Sequence, residues 1–388
     1  MRIPVSGNIS TKDGSSNKNA RMTNMLAEEK QGKSFAAVRP GLSQVAIGSG
    51  DGNGLVCFNS ELVSIYGNNV YAQVQRFTGG LEQINVDLPI GYVGQSVSKG
   101  DGIFCIVCGG AIKTSYVSSD GETWNTGTLP SISGNPSFSA TGYGDSLFIT
   151  FAYNKSECAT STDGLSWTQR TLPISGYWGS VAYGNNIFCC ISVLSDVCVT
   201  SSDGVAWSSG VLPTNGSWKS IAFNGTTFCM VSATGKYAIS TDCSTWETGN
   251  LPTGYSFSKI VSMGGIFVAM STGSSESIVA VSQNGEDWTT NSLPSAVQWS
   301  DIAANTNSFL AVASNPNTLA ASSSDGENWT EITISGFSNW DFVAVGNDKF
   351  LIVDSIDDIA VLLSEELISE YIVSGSVVDN HFDFALIP

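Results

Sequence analysis

The sequence predicts an all-β chain, and three observations carry the prediction. A turn of the form Ser-x-Asp-Gly-x-x-Trp recurs six times, its tryptophans (Trp124, Trp167, Trp207, Trp246, Trp288, Trp329) spaced by 43, 40, 39, 42 and 41 residues. Upstream of the turns lie paired apolar runs joined by Gly/Asn turns, such as WGSVAYGNNIFCCISV from Trp178 and WKSIAFNGTTFCMVSA from Trp218, which is a hairpin signature. Composition agrees: 42% of residues are hydrophobic, only 13% are charged and 41 are glycine, so polarity comes from turn-forming Ser, Thr, Asn and Gly. A period of about 41 residues is the size of one four-stranded blade. The expected fold is a β-propeller of four-stranded antiparallel blades.

Each unit reads strand, hairpin, strand, short gap, third strand, Ser-x-Asp-Gly turn, then a fourth strand opened by tryptophan. Degenerate copies flank the six: residues 54–89 keep the strands and Leu88-Pro89 but lose the turn, and residues 339–374 keep the strands with Tyr371 in the tryptophan's place. The count is eight repeat units, or seven blades if the two end units merge into one closing blade. The expected organisation is an extended N-terminal arm over 1–44, a propeller over 45–374 and a C-terminal tail over 375–388.

In the turns, Asp120, Asp163, Asp203, Asp242 and Asp325 are positioned to accept backbone N–H bonds. The glycines that follow supply a positive φ, and the tryptophans cover the hairpin and pack toward the next unit. Two copies deviate: Asn284 stands for the aspartate and retains the turn chemistry, whereas Cys243 stands for the glycine and is expected to force a different turn. The repeat resembles the Asp-box (BNR) turn of sialidases and related propellers, with Asp and Gly adjacent here rather than one residue apart. That resemblance implies a folding element, away from any active site.

Catalytic chemistry finds few residues. A sialidase needs three arginines on different blades to hold a carboxylate, and the chain has five (Arg2, Arg21, Arg39, Arg76, Arg170), three of them before residue 40. His381 is the single histidine, so neither a Ser-His-Asp set nor a histidine metal site is assembled. Asp357/Asp358 and Glu365/Glu366 read as ordinary acidic surface. Cys105 and Cys108 form a CxxC without a second pair, on opposite faces at strand spacing. The nine cysteines read as reduced, buried strand residues. The expectation is no enzyme, no cofactor and no metal. The N-terminus has no signal-peptide pattern, and no apolar run approaches the ~20 residues of a membrane span.

Charge is uneven. The first 40 residues hold seven basic and three acidic side chains, the remainder nine and 31, for a net of −18. Arg2, Lys12, Lys18, Arg21, Lys30, Lys33 and Arg39 are therefore candidate assembly contacts, docking a basic arm on an acidic face. The acidic bulk argues against sequence-independent nucleic-acid binding.

The segment 20–73 is similar to the N-terminal region of the packaged-DNA-stabilisation, or tail nozzle, proteins of short-tailed phages. The matching residues are Asn24, Glu28, Gly32-Lys33-Ser34, Pro40-Gly41-Leu42, Gly67-Asn68 and Val70-Tyr71, with Phe35-Ala36 replacing the usual Ser-Pro. The resemblance implies a structural virion protein, made in the host cytoplasm and placed in the tail. It would form a homohexameric ring below the portal and adaptor proteins, contact tail fibre or needle proteins, retain packaged DNA and pass it transiently at ejection without specific binding. The alternative is a tail receptor- or glycan-binding propeller, in which Tyr177, Trp178, Trp218, Tyr255, Trp299 and Trp340 stack on sugars. Burial of these rings in the blade core favours a scaffold; a continuous exposed patch favours binding.

Overall fold

The computed structural model describes strand backbone along the chain. Side chains are described for Val86 and for 96–363, apart from 109–112, 215, 273–275, 315–317, 335–339, 341, 347–348 and 354–359. The chain divides into two compact units, Leu81–Ser364 and a second made of Met1–Gly80 with Glu365–Pro388.

The larger unit is a seven-bladed propeller. Six blades are contiguous four-stranded antiparallel sheets, opening at Gly94, Phe138, Trp178, Trp218, Phe257 and Gln298. The seventh takes strands Trp340–Gly346, Lys349–Asp354 and Ile359–Ile368 from the C-terminal side and its outermost strand, Arg76–Asp87, from the N-terminal side. The inner strand of each blade adjoins that of the next, and Trp340–Gly346 adjoins Gly94–Gly100, which closes the ring. Of the two blade counts the sequence leaves open, seven is correct. The end units merge, but unequally: the first gives one strand and the last gives three.

The cause is pairing rather than period. Strands Gly52–Phe58, Glu61–Tyr66 and Asn69–Gln73 pair with one another, and Asn69–Gln73 pairs with Val373–Val378. With Arg2–Ile3, His381–Asp383 and Ala385–Leu386 they form a sheet of the second unit. The propeller is therefore narrower than 45–374. The expected arm and tail also contain strands: Leu26–Lys30 pairs with Lys33–Ala37, and Val373–Val378 pairs with His381–Asp383. Tyr371 lies outside the described residues.

The core is a series of apolar layers between blades. Each second strand is almost wholly buried, as in Ile187–Ser192 and Ile266–Ser271, the mark of a strand covered on both faces. One layer joins Ile149, Phe151 and Cys158 of blade 2 to Trp178, Phe188 and Cys190 of blade 3. The inner-strand aromatics interlock the ring: a Cβ on Gly184 would strike the Phe223 ring of the following blade, so glycine there lets the two strands approach.

The two ends of the ring differ in charge. One end carries the turns joining strands one to two and three to four of each blade. There lie Asp101, Asp145, the box carboxylates, and Glu122, Glu286, Asp287 and Glu327, with Lys99, Arg170 and Lys349 in the strands that flank these turns. The other end carries the turns joining strands two to three and the links between blades. Lys155 and Lys236 open third strands there, Lys113 precedes one and Lys219 follows Trp218, while Asp196 and Glu276 are the carboxylates of those loops among the described residues.

Candidate functional site

The six box turns are built from one hydrogen-bond set. In blade 2, Ser161 Oγ donates to Asp163 Oδ1 (2.9 Å) and accepts from the Gly164 N–H (2.8 Å). Asp163 Oδ1 then accepts the N–H groups of Leu165 (2.9 Å) and Ser166 (2.8 Å). Blade 3 repeats this through Ser201 and Asp203, blade 6 through Ser323 and Asp325, and blade 1 through Ser118 and Asp120. Asn284 Oδ1 accepts from Glu286 and Asp287 at 2.9 Å each, so an amide oxygen suffices.

These bonds favour the ionised carboxylate. The Thr123 hydroxyl and the neighbouring N–H groups hold Asp120 far below the usual range, and the Thr245 N–H and Ser244 hydroxyl do the same for Asp242. The Asn328 N–H and side-chain amide hold Asp325 at about 2. The Ser166 N–H lowers Asp163 and the Ala206 N–H lowers Asp203. With their oxygens engaged inside their own turns, these aspartates are folding residues.

Cys243 does not force a different turn. It adopts φ +57°, within the same region as Gly164 (+71°) and Gly204 (+69°). Its N–H donates to Ser240 Oγ (2.8 Å), and Asp242 Oδ1 accepts from Ser244 (2.8 Å) and Thr245 (3.0 Å). The reason is room in the preceding blade. A Cβ on Gly326 would lie 2.6 Å from Val268 Cγ2, and one on Gly164 2.6 Å from Val117 Cγ2. At the matching positions before Cys243 stand the smaller Cys189 and Thr200. The Cys243 side chain is buried in one cluster with Cys189 and Cys198.

The box tryptophans face the preceding blade, not the next one. Trp167 packs on the layer containing Cys105 and Val117 of blade 1, and Trp329 on that containing Val268 and Val281 of blade 5. Their indole N–H groups donate to the carbonyl of their own turn residue, Gly164 (2.9 Å) and Gly326 (2.8 Å). That bond lays the ring over the turn, and the turn abuts the blade before it. Trp207 and Trp288 make the same bond to Gly204 and Gly285, whereas the buried Nε1 atoms of Trp124 and Trp246 lack it.

The inner-strand aromatics are core. Trp178, Trp218, Trp299 and Trp340 are fully buried, and Tyr177 and Tyr255 are half-buried. Trp178 Nε1 donates to the Lys155 carbonyl (2.9 Å) and Trp218 Nε1 to that of Pro213 (3.1 Å), so the polar edges are satisfied too. These six rings form no continuous exposed patch.

Cys105, Cys108, Cys158, Cys189, Cys190, Cys198, Cys229 and Cys243 are free and buried. Cys105 and Cys108 fall in different core layers, as opposite-face placement requires. Burial pushes Cys105 and Cys229 well up and Cys158 to about 12. Among the described residues no group of three His, Cys, Asp or Glu side chains is arranged to hold a metal. Arg170, the described arginine, donates to Thr160 Oγ1 (3.1 Å). The side chains of Arg2, Lys12, Lys18, Arg21, Lys30, Lys33 and Arg39 lie outside the described residues, as does His381.

A feature the repeat analysis missed lies at the ring axis. Two residues after the aromatic that opens the inner strand, Ser180 Oγ accepts the N–H of Ile221 (3.1 Å) and Ser220 Oγ that of Ile260 (3.2 Å), each in the following blade. At the same column blades 2 and 7 carry Ala140 and Phe342, and blades 5 and 6 carry the charged Lys259 and Asp301. Asp301 Oδ2 performs the serine's task, accepting from the Val343 N–H (3.0 Å), while Oδ1 pairs with Lys259 Nζ (2.8 Å). The signal was visible as a departure at a fixed column of the repeat.

No family model matches the sequence, and no curated protein does. Solved structures share the fold. YCF48 bound to D1 peptide superposes with a TM-score of 0.59 at 19% identity, covering 75% of this chain and 97% of that one. Virginiamycin B lyase from Staphylococcus aureus gives 0.63 at 10% identity, with 74% and 99% covered. The WD40 β-propeller domain of Doa1 gives 0.57 at 13% identity, with 74% and 97% covered. At these identities the likeness is one of propeller fold.

Proposed function

We propose that the chain is a structural protein of a phage tail, the nozzle that sits below the portal and adaptor as a homohexameric ring. The observation that carries the reading is the segment 20–73, whose Gly32-Lys33-Ser34, Pro40-Gly41-Leu42 and Gly67-Asn68 match the nozzle proteins. A seven-bladed ring whose repeated polar residues are engaged in its own turns supports a scaffold role. The burial of Trp178, Trp218, Trp299 and Trp340 favours the scaffold over the glycan-binding alternative, of whose six rings Tyr177 and Tyr255 remain half-buried.

In this reading the basic segment 1–40 contacts a neighbouring copy or the adaptor, and the acidic surface lets DNA pass without adhering. No catalytic step is involved, although a lyase shares the fold at 10% identity. Cryo-electron microscopy of particles carrying this chain tests the proposal. Six copies around an axial channel support it; single copies or trimers mounted off the axis overturn it.

A further inference from the structure

The axis of the propeller holds a cavity of about 210 Å³. Its wall includes Ser96, Ser139, Ser180, Lys259, Asp301 and Phe342. All stand within the first few residues of their inner strands, so the cavity lies toward the end of the ring that carries the links between blades. Three properties define what fits there.

The first is size. The space suits a small molecule, about the size of a monosaccharide. The second is polarity. Ser139 Oγ donates to the Trp178 carbonyl and Ser180 Oγ accepts the Ile221 N–H, so the first offers a ligand an acceptor and the second a donor; Ser96 and Phe342 also line the wall. The third is charge. Both Asp301 oxygens are engaged, one by the Val343 N–H and one by Lys259. The Lys259 side chain is 36% exposed, and an ammonium has three donors, so two remain after the Asp301 contact. Lys113, Lys155, Lys219 and Lys236 gather at the same end of the ring, and the box acids at the other.

We propose that the axial cavity binds a small hydroxylated carboxylate, of the size of a sugar acid, with its carboxylate on Lys259 and its hydroxyls on the serines. The inference goes beyond the tail role and does not depend on it.

Titration calorimetry on the full chain with D-glucuronate tests it, with D-glucose, D-glucuronamide and acetate as comparison probes. Glucuronate should bind saturably. Glucose and glucuronamide, which lack the carboxylate, should bind about tenfold more weakly or worse, the effect of losing one charge-assisted hydrogen bond. Lys259→Gln should weaken glucuronate by about the same factor, while Lys259→Arg retains binding. Absence of glucuronate binding up to about 10 mM, equal binding of glucuronamide, or unaltered binding in Lys259→Gln overturns the proposal. Acetate binding as tightly as glucuronate overturns the hydroxylated part of it. The glucuronamide comparison needs no variant, so it decides the question even if Lys259→Gln fails to fold.

Discussion

Gly326→Ala is expected to be among the costliest single-methyl additions in the propeller, and the cost follows from its position. Gly326 has φ +77°, where a Cβ costs about 1 kcal/mol. That Cβ would also lie 2.6 Å from Val268 Cγ2. Val268 is fully buried in the adjoining layer, and its branched side chain has few rotamers to escape into. Overpacking of this kind adds about 1–3 kcal/mol, for a total of about 3 kcal/mol. Gly254 is the internal comparison: its φ is +97° and nothing lies within 4 Å of a built Cβ, so Gly254→Ala should cost about 1 kcal/mol of strain alone. Cys243→Gly completes the set. It relieves the same strain and removes a buried thiol, so it should shift stability by about 1 kcal/mol or less. Urea unfolding followed by tryptophan fluorescence measures all three. Equal losses for Gly326→Ala and Gly254→Ala would refute the argument that the preceding blade, rather than backbone conformation, dictates glycine in the turn.

Other outcomes follow from the same geometry. Because Asp325 is held at about 2 and Asp120, Asp163, Asp203 and Asp242 are also depressed, their contribution to stability is complete above the unfolded carboxylate value of about 4 and is lost as pH falls through the folded values. Urea midpoints should be flat above about pH 5 and fall steadily below about pH 4; a midpoint unchanged down to pH 3 would contradict the box bonds. The eight buried thiols should resist iodoacetamide in the native protein and react on unfolding, with peptide mass spectrometry reading each site; native labelling of Cys105 or Cys229 would contradict their burial. Ser220→Ala leaves the Ile260 N–H without its acceptor and should cost about 1–2 kcal/mol, with faster hydrogen exchange at Ile260 than at Ile221, whose acceptor Ser180 is intact.

The regular blades were legible because each signal is local. The Ser-x-Asp-Gly turn, the Gly/Asn hairpin and the alternating strands all act within about 41 residues, and the first strand's buried tryptophan recurs at one place in the unit. The closing blade was not legible, because Arg76–Asp87 finds its partner strand at Ile359–Ile368, and no short-range pattern encodes that pairing. The direction in which Trp167 and Trp329 pack was misjudged for a related reason: it depends on where the neighbouring blade sits, not on the turn. Cys243 was judged by backbone preference alone. Its tolerance is decided by Cys189 and Thr200, which lie in the preceding blade. Lys259 and Asp301 escaped attention because a lysine or aspartate in a strand is unremarked until the repeat columns are aligned, when they stand against Ser180 and Ser220.

If the proposed tail role holds, the number of copies in place and their position reveal it. Cryo-electron microscopy of intact particles should show six chains around the channel below the portal, with the segment 1–40 of each reaching a neighbour or the ring above. Chains attached singly or in threes at the periphery, or absent from the particle, would contradict it.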